Sequence, residues 1–233
     1  STTPAHAEEE NPTLESFNRS MFTFNNYVNH YLLMPAARGY RAITTKPIRR
    51  SVRSALDNLR EPLTAGNYAL QANIKETGVS IARFAINSTL GLFGLFDVAA
   101  GWGLEKKTTN FDDTLAEWCV PDGPYLVLPF LGSSTPRAAV GTGMGFVFDP
   151  VFWTTYHDKN ISDKVSYGYL GIQAITLMEE NMDLLNDFEQ NSVDFYATVR
   201  SAYMQYRKNK GCFAKDVTED SPADYDFDFD MDE

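Results

Sequence analysis

The side chains able to do chemistry in this 233-residue chain are few, and their spacing does not suit it. Of three histidines, His6 lies in an N-terminal stretch ahead of three glutamates, while His30 and His157 sit beside aromatics. There an imidazole reads as a polar edge residue and not as a general base. The neighbouring carboxylates Asp112 and Asp113 point apart on a helix or a strand, so they make no acid–base pair. Glu179-Glu180 reads as a solvated helix face. No G-x-S-x-G elbow, P-loop, G-x-G-x-x-G fingerprint or H-E-x-x-H pair occurs. Cys119 and Cys212 have neither a second cysteine nor a histidine at metal-ligand spacing, which argues against zinc. Two cysteines are compatible with one disulfide in an oxidising compartment, or with two free buried thiols. Three N-x-S/T matches, at Asn18, Asn87 and Asn160, matter only in a eukaryotic secretory protein. The residues point away from an enzyme, a metal or a cofactor.

What stands out instead is apolar and unreactive. Gly123-Pro124-Tyr125-Leu126-Val127-Leu128-Pro129-Phe130-Leu131 is followed by Gly132-Ser133-Ser134-Thr135-Pro136-Arg137. Tyr125 to Leu128 reads as a short extended piece, because the flanking prolines exclude a helix interior or a long central strand. Gly-Ser-Ser-Thr reads as a turn, and Ser134 or Thr135 as the N-cap of a helix with Pro136 at its start. Such a segment needs an apolar neighbour and offers no nucleophile, so binding or conduction fits better than catalysis.

The net charge of −11 is local. Residues 216–233 carry nine acidic and no basic side chains, and 31 − 9 leaves 22 acidic against 20 basic in the body. Basic residues cluster at Arg38, Arg41, Lys46, Arg49, Arg50, Arg53 and Arg60, with Asp57 the single carboxylate in that window. This patch suits anionic lipid headgroups or an acidic partner, or is a solvated helix face. Nucleic acid is disfavoured, since no aromatic–basic interleaving accompanies it. No apolar run approaches the roughly 18–20 residues of a spanning helix. Leu90 to Ala100 comes nearest and is broken by Gly91, Gly94 and Asp97. Ala5-His6-Ala7 resembles the end of a secretory signal, or belongs to a disordered leader.

The elements that must position these residues are helical. Residues 1–13 read as a flexible leader. Leu14, Phe17, Met21, Phe24 and Val28 draw one stripe at helical spacing, widened by Phe22, Tyr27 and Tyr31, and Pro35 is expected to end that helix. Pro47 opens the next, with Ile48, Val52, Ala55, Leu56 and Leu59 as its buried side, and Glu61-Pro62 is expected to break it. Short helices follow over about 64–71 and 74–87. Residues 88–132 are glycine-punctuated and suit broken interfacial helices and a hairpin, with Lys106 to Asn110 at a loop. A helix from Thr135 to Asp149-Pro150 leads into an aromatic patch of Phe146, Phe148, Phe152, Trp153 and Tyr156. Two amphipathic helices, about 162–189 and 193–208, complete a single domain over 14–211. The first should turn Val165, Tyr169, Ile172, Ile175, Leu177, Met182 and Leu185 inward. The acidic residues 212–233 read as a disordered tail.

An ordered series of motifs resembles the MlaA/VacJ family of outer-membrane lipoproteins. It comprises Glu15-x-Phe17-Asn18-Arg19, Phe22-x-Phe24-Asn25, Asn58-Leu59-x-Glu61-Pro62, Asn67-x-x-Leu70-Gln71 and Arg83-Phe84-x-x-Asn87-Ser88-Thr89-Leu90-Gly91. Gly94-x-Phe96-Asp97-Val98-Ala99, Phe111-x-x-Thr114-Leu115, the Gly123–Pro129 segment, Gly132-x-Ser134-Thr135-x-Arg137 and Asp194-x-Tyr196-x-x-x-Arg200 follow. The resemblance implies a mainly α, ring-like helical domain with broken interfacial helices, a short hairpin and a central amphipathic channel. It would lie in the inner leaflet of the Gram-negative outer membrane beside a trimeric porin. It would pass mislocalised phospholipid toward a periplasmic lipid-binding protein of the same pathway, without covalent chemistry. The alternative is an envelope adaptor that binds porins and conducts no lipid.

Carried onto this chain, Phe22, Phe24 and Asn25 are gate candidates. Arg83, Asn87 and Asp97 are candidates for lining or bracing the lipid path, and Tyr125 and Leu126 belong to the hairpin near the pore. Arg38, Arg41, Lys46, Arg49, Arg50 and Arg53 form the headgroup- or partner-facing patch. Lipid anchoring requires a Cys before Ser1; without it the resemblance implies a periplasmic protein. Three departures stand out. Asp112-Asp113 replace a small flexible turn, Ala138 replaces an Asp that would pair with Arg137, and Met178 stands where an Arg is frequent.

Overall fold

The structure is a computed structural model that describes residues 12–151, 159–208 and 210–212. The leader up to residue 11, Phe152, Trp153 and Tyr156 of the aromatic patch, His157, and the tail from 213 onward lie outside the described residues.

Helix α1 spans Pro12–Val28 and α2 spans Met34–Ile43, joined by a π-helical turn at Asn29–Leu33. Pro35 therefore does not end the helix. The Met34 N–H donates to Asn29 O, a five-residue step that widens the turn just ahead of the proline. The missing Pro35 donor then falls where the ladder has already shifted. Much of the apolar stripe of α1 also faces away from the core, although Met21 and Phe22 pack against it. Asn18 and Asn25 are its buried residues, while Phe17, Phe24, Tyr27 and Tyr31 are exposed.

Helix α3 runs unbroken over Lys46–Leu70, with Pro62 inside it. The expected break at Glu61-Pro62 does not occur because packing along α4 (Ile74–Thr89) straddles the proline and outweighs its one lost ladder bond. The buried side of α3 is Leu56, Asn58, Glu61, Thr64, Ala65, Asn67 and Tyr68; Ile48 and Leu59, expected inside, are exposed. Asn73 caps α4 by accepting from the Glu76 N–H at 3.2 Å.

After α4 the chain turns sharply. Leu92, Phe93 and Gly94 all have left-handed backbones, with φ of 51°, 58° and 88°, a costly conformation for the two non-glycine residues. The turn is tied by Gly94 N–H to Asn87 O at 2.8 Å. A Cβ on Gly94 would lie 2.5 Å from the Asn58 Cβ, so only glycine lets this turn sit on α3. Helix α5 (Val98–Gly101) is capped by Asp97, and α6 (Phe111–Glu117) by a capping box between Asn110 and Asp113.

Strands β1 (Leu126–Leu128) and β2 (Gly132–Ser134) form an antiparallel hairpin with Val127 opposite Ser133. The turn is Pro129-Phe130-Leu131, with Phe130 at φ 65°, and not the Gly-Ser-Ser-Thr stretch, which supplies β2 and a cap. Thr135 accepts from the Ala138 N–H at 3.2 Å and opens α7 (Pro136–Val147). Helices α8 (Lys159–Asn191) and α9 (Phe195–Lys208) complete the fold. On α8 the buried positions are Thr176, Met178, Glu179 and Met182. Val165 and Leu177, expected inward, are exposed. Cys119 and Cys212 form a disulfide, with Cα atoms 5.5 Å apart, that fastens the segment after α9 to the end of α6.

The apolar core is small and split. Met34 and Ala37 meet Met178 and Met182 between α2 and α8, and Tyr125, Val127 and Tyr196 cluster between the hairpin and α9. Among the described residues the buried set holds 18 polar or charged residues against 12 apolar ones, the reverse of the usual partition. Large apolar side chains lie outside instead: Phe93 is 85% exposed, Phe130 75% and Trp102 62%. Exposed apolar surface on this scale marks a face that meets a membrane or a partner. No helix among the described residues is long and apolar enough to cross a membrane.

Candidate functional site

Helices α3, α6, α7 and α9, with β2 and the 106–110 loop, surround a polar cavity of about 840 Å³. Four sets of polar contacts hold the elements around it together, the first three of them largely buried.

The first joins α1 to the hairpin. Asn18 Nδ2 donates to Tyr125 O at 3.0 Å and Oδ1 accepts from the Val127 N–H at 2.8 Å. Asn25 repeats this one hairpin step further on, donating to Leu128 O at 2.8 Å and accepting from the Phe130 N–H at 2.7 Å. Seven residues are two helical turns, so both amides fall on one face of α1. That face supplies the missing partner strand for β1, satisfying backbone groups that would otherwise be stranded. Beside them, Phe24 meets Phe130 edge-on at 5.2 Å, and Phe22 meets Tyr196 at 5.4 Å. The Tyr125 hydroxyl hydrogen-bonds Ser133 at 2.8 Å. Phe22, Phe24, Asn25, Tyr125 and Leu126 thus gather around the hairpin, whose Leu131, Ser133 and Ser134 line the cavity.

The second brings Arg83, Asn87 and Asp97 together. Arg83 is 2% exposed. It donates from Nε to Glu61 at 2.8 Å, from Nη1 to Leu104 O at 2.5 Å and from Nη2 to Asp97 at 2.9 Å. Asn87 donates to Asp97 at 3.0 Å and accepts from the Ala99 N–H at 3.0 Å. Burial holds the Glu61 carboxyl above the usual carboxylate range despite Arg83. Burial also acts upward on Asp97, but the bonds from Arg83, Asn87 and the Ala100 N–H prevail and hold it below that range. The network braces the exposed Leu90–Phe96 turn, and Glu61 is where it reaches the cavity.

The third is a two-by-two ion cluster joining α6, α7 and α9. Asp112 accepts from Arg137 Nε at 2.9 Å and from Arg207 Nη2 at 3.0 Å, with a further short bond to Arg207 Nη1. Asp122 pairs with both arginines as well. Burial pushes the Asp112 carboxyl up, yet the bonds from Arg207 and Arg137 outweigh it and hold it below the usual range. Asp112 therefore does not sit in a charged flexible turn: it is buried on α6 and replaces the partner that Ala138 cannot supply. Lys210 reaches Asp113 at 2.5 Å nearby.

The fourth accounts for half of the basic patch. Arg41 binds Glu179 and Asp183 at 2.8 Å each, Arg49 lies 3.1 Å from Glu179, and Arg53 bonds Asp57 and Glu180. These three pin α2 and α3 to α8. Arg38, Lys46 and Arg50 are exposed. Lys106 is held by Asp57 at 2.7 Å and Lys107 by Glu76 at 3.0 Å.

Sequence reasoning did not single out Asn18, Glu61, Asp122, Arg137 or Arg207 as site residues. The seven-residue spacing of Asn18 and Asn25 was a usable signal. Nothing local marks Arg207, whose partners lie 85 and 95 residues away. Among the described residues no group of three or more His, Cys, Asp or Glu side chains is placed to hold a metal.

The chain is similar to known proteins in both sequence and backbone. Residues 10–210 match the family model described as MlaA lipoprotein. An uncharacterized protein of Rickettsia typhi is 38% identical over 206 residues, covering 85% of this chain and 80% of its own. The intermembrane phospholipid transport system lipoproteins MlaA of Haemophilus influenzae and Escherichia coli are 32% and 34% identical. Their matches cover 87% and 82% of this chain and 81% and 75% of their own lengths. A solved structure from work on the structural basis for maintenance of bacterial outer membrane lipid asymmetry superposes with a TM-score of 0.70 at 32% identity. It covers 83% of this chain and 95% of the solved one. Matched along nearly the whole domain in both sequence and backbone, the chain belongs to the MlaA lipoprotein family.

Proposed function

We propose that this protein is a phospholipid-transport component of the Gram-negative outer membrane, removing mislocalised phospholipid from the outer leaflet toward the periplasm and so maintaining lipid asymmetry. The observation that carries this is the inverted partition of side chains. Exposed Phe93, Trp102 and Phe130 suit a hydrocarbon surrounding, and the cavity is wet enough for a headgroup that could not be buried unpaired without a cost of several kcal/mol. With no spanning helix among the described residues, the apolar belt fits a seat in one leaflet, the inner one, with acyl anchoring of the N-terminal end.

In this reading the hairpin, held by Asn18, Asn25 and the Phe24–Phe130 contact, is the movable wall that gates the cavity. Phe22, Tyr125 and Leu126 shape its hinge side. Arg83, Asn87 and Asp97 brace the fixed wall. The exposed Arg38, Lys46 and Arg50 face phosphate headgroups or an acidic partner, a trimeric porin on the membrane side or a periplasmic lipid-binding protein below. Lipid passes without a covalent step.

A photoreactive residue at Thr142, which lines the cavity, tests the conduit. Illumination in membranes should trap phospholipid. A porin adduct alone would support an adaptor role and overturn conduction.

A further inference from the structure

Six basic and six acidic side chains line the cavity, so its wall is neutral overall. Nearly all are committed to the pairs described above. Arg60 and Asp149 differ. Both line the cavity, and neither makes a salt bridge to any of the described residues. Between them stands Tyr169, whose hydroxyl donates to Asp149 Oδ2 at 3.4 Å and is within reach of the Arg60 guanidinium. Burial, with the Asp149 charge beside it, pushes that hydroxyl up to about 12, so it stays a neutral donor at any physiological pH. The Asp149 carboxylate is held as well: Oδ1 accepts from the Val151 N–H at 2.8 Å. The wall therefore presents a cation and an anion side by side, uncompensated by each other and separated by a neutral hydroxyl.

Resting on the conduit reading, we propose that Arg60 and Asp149 form a headgroup site selective for zwitterionic phospholipid, Arg60 taking the phosphodiester and Asp149 the ammonium. An anionic headgroup without an ammonium satisfies Arg60 but leaves its remaining polar groups facing the Asp149 carboxylate. A lipid carrying both charges satisfies both, in a cavity where most of the other ions are already paired.

The test reconstitutes the full-length protein in nanodiscs of equal phosphatidylethanolamine and phosphatidylglycerol, extracts it in detergent and measures retained lipid by mass spectrometry. The wild type should be enriched in phosphatidylethanolamine relative to the bilayer. Asp149→Asn keeps the Oδ1 acceptor and removes the charge, and should shift the ratio toward phosphatidylglycerol by about fivefold, the scale of one charge interaction at close range in a wet cavity. Arg60→Gln should lower total retention and move the ratio the opposite way. Opposite shifts cannot come from general loosening of the fold. Wild-type lipid in bulk proportions, unmoved by either variant, would overturn the headgroup site and leave conduction standing. Wild type retaining no lipid would overturn both.

Discussion

Asp112 offers the sharpest test of how this fold is held. It is buried, at 6% exposure, and accepts hydrogen bonds from two arginines that are each 4% exposed. Asp112→Ala leaves both guanidinium groups buried with only Asp122, whose side chain is 27% exposed, to share. Breaking a buried pair by deleting one partner costs about 3–5 kcal/mol, and the surviving Asp122 places this case at about 3 kcal/mol. At a urea slope of about 2 kcal/mol per molar the midpoint should fall by about 1.5 M. The measurement is urea unfolding in detergent micelles followed by tryptophan fluorescence. Asp113→Ala, losing a more accessible contact to Lys210 and the capping bond from the Asn110 N–H, should cost about 1–2 kcal/mol. Asp112→Leu combined with Arg207→Met removes one charge of each sign, leaves Arg137 with Asp122, and should recover most of the loss. Equal midpoints for Asp112→Ala and Asp113→Ala would refute the claim that α6, α7 and α9 are joined by this cluster. The acid limb carries the same signature. The Asp112 carboxyl binds its proton less readily in the folded chain, so its stabilisation is complete above the ordinary aspartate value of about 3.9. That stabilisation is lost as pH falls toward the depressed folded value. Asp112→Asn should flatten that part of the limb.

Replacing Asn18 or Asn25 with alanine strands one backbone donor and one acceptor in the hairpin, about 2–4 kcal/mol each. Amide exchange should speed up selectively at Val127 for Asn18→Ala and at Phe130 for Asn25→Ala, and unchanged protection would show that the amides are not the clasp. Reduction of the disulfide frees a closure of 93 residues and should lower stability by about 4.6 kcal/mol on the chain-entropy account; an unchanged denaturation midpoint in reductant would contradict it. Gly141 lies against α6, where an added Cβ would come within 2.5 Å of the Asp112 backbone nitrogen. Gly141→Ala should therefore destabilise by about 1–3 kcal/mol as the helices part, and a parental melting curve would show that the crossing can yield.

Element positions were largely legible in the sequence because they depend on local chemistry. Thr135 before Pro136 is an N-cap wherever the chain folds, and Tyr125 to Leu128 between prolines has little choice but to extend. The glycine-punctuated stretch after residue 88 does break into turns and short helices. The prolines misled because their cost of about 3 kcal/mol is modest against tertiary packing. A π turn accommodates Pro35, and contacts to α4 on both sides of Pro62 carry α3 through it.

Burial direction was not legible from periodicity. A stripe such as Phe17, Phe24 and Tyr27 says which residues share a face, but not whether that face meets a core or a membrane. Only the tertiary arrangement turned the stripe outward and placed Asn18 and Asn25 inside. The cavity and its clasps were beyond reach for a related reason. Ion pairs such as Asp112–Arg207 join residues 95 apart, and a charge carries no local mark of the partner it will find. The sequence by itself determined the family, the helical framework and the lack of catalytic motifs. The three-dimensional packing decided which charges neutralise one another, and it left Arg60 and Asp149 facing the cavity without a salt bridge to each other.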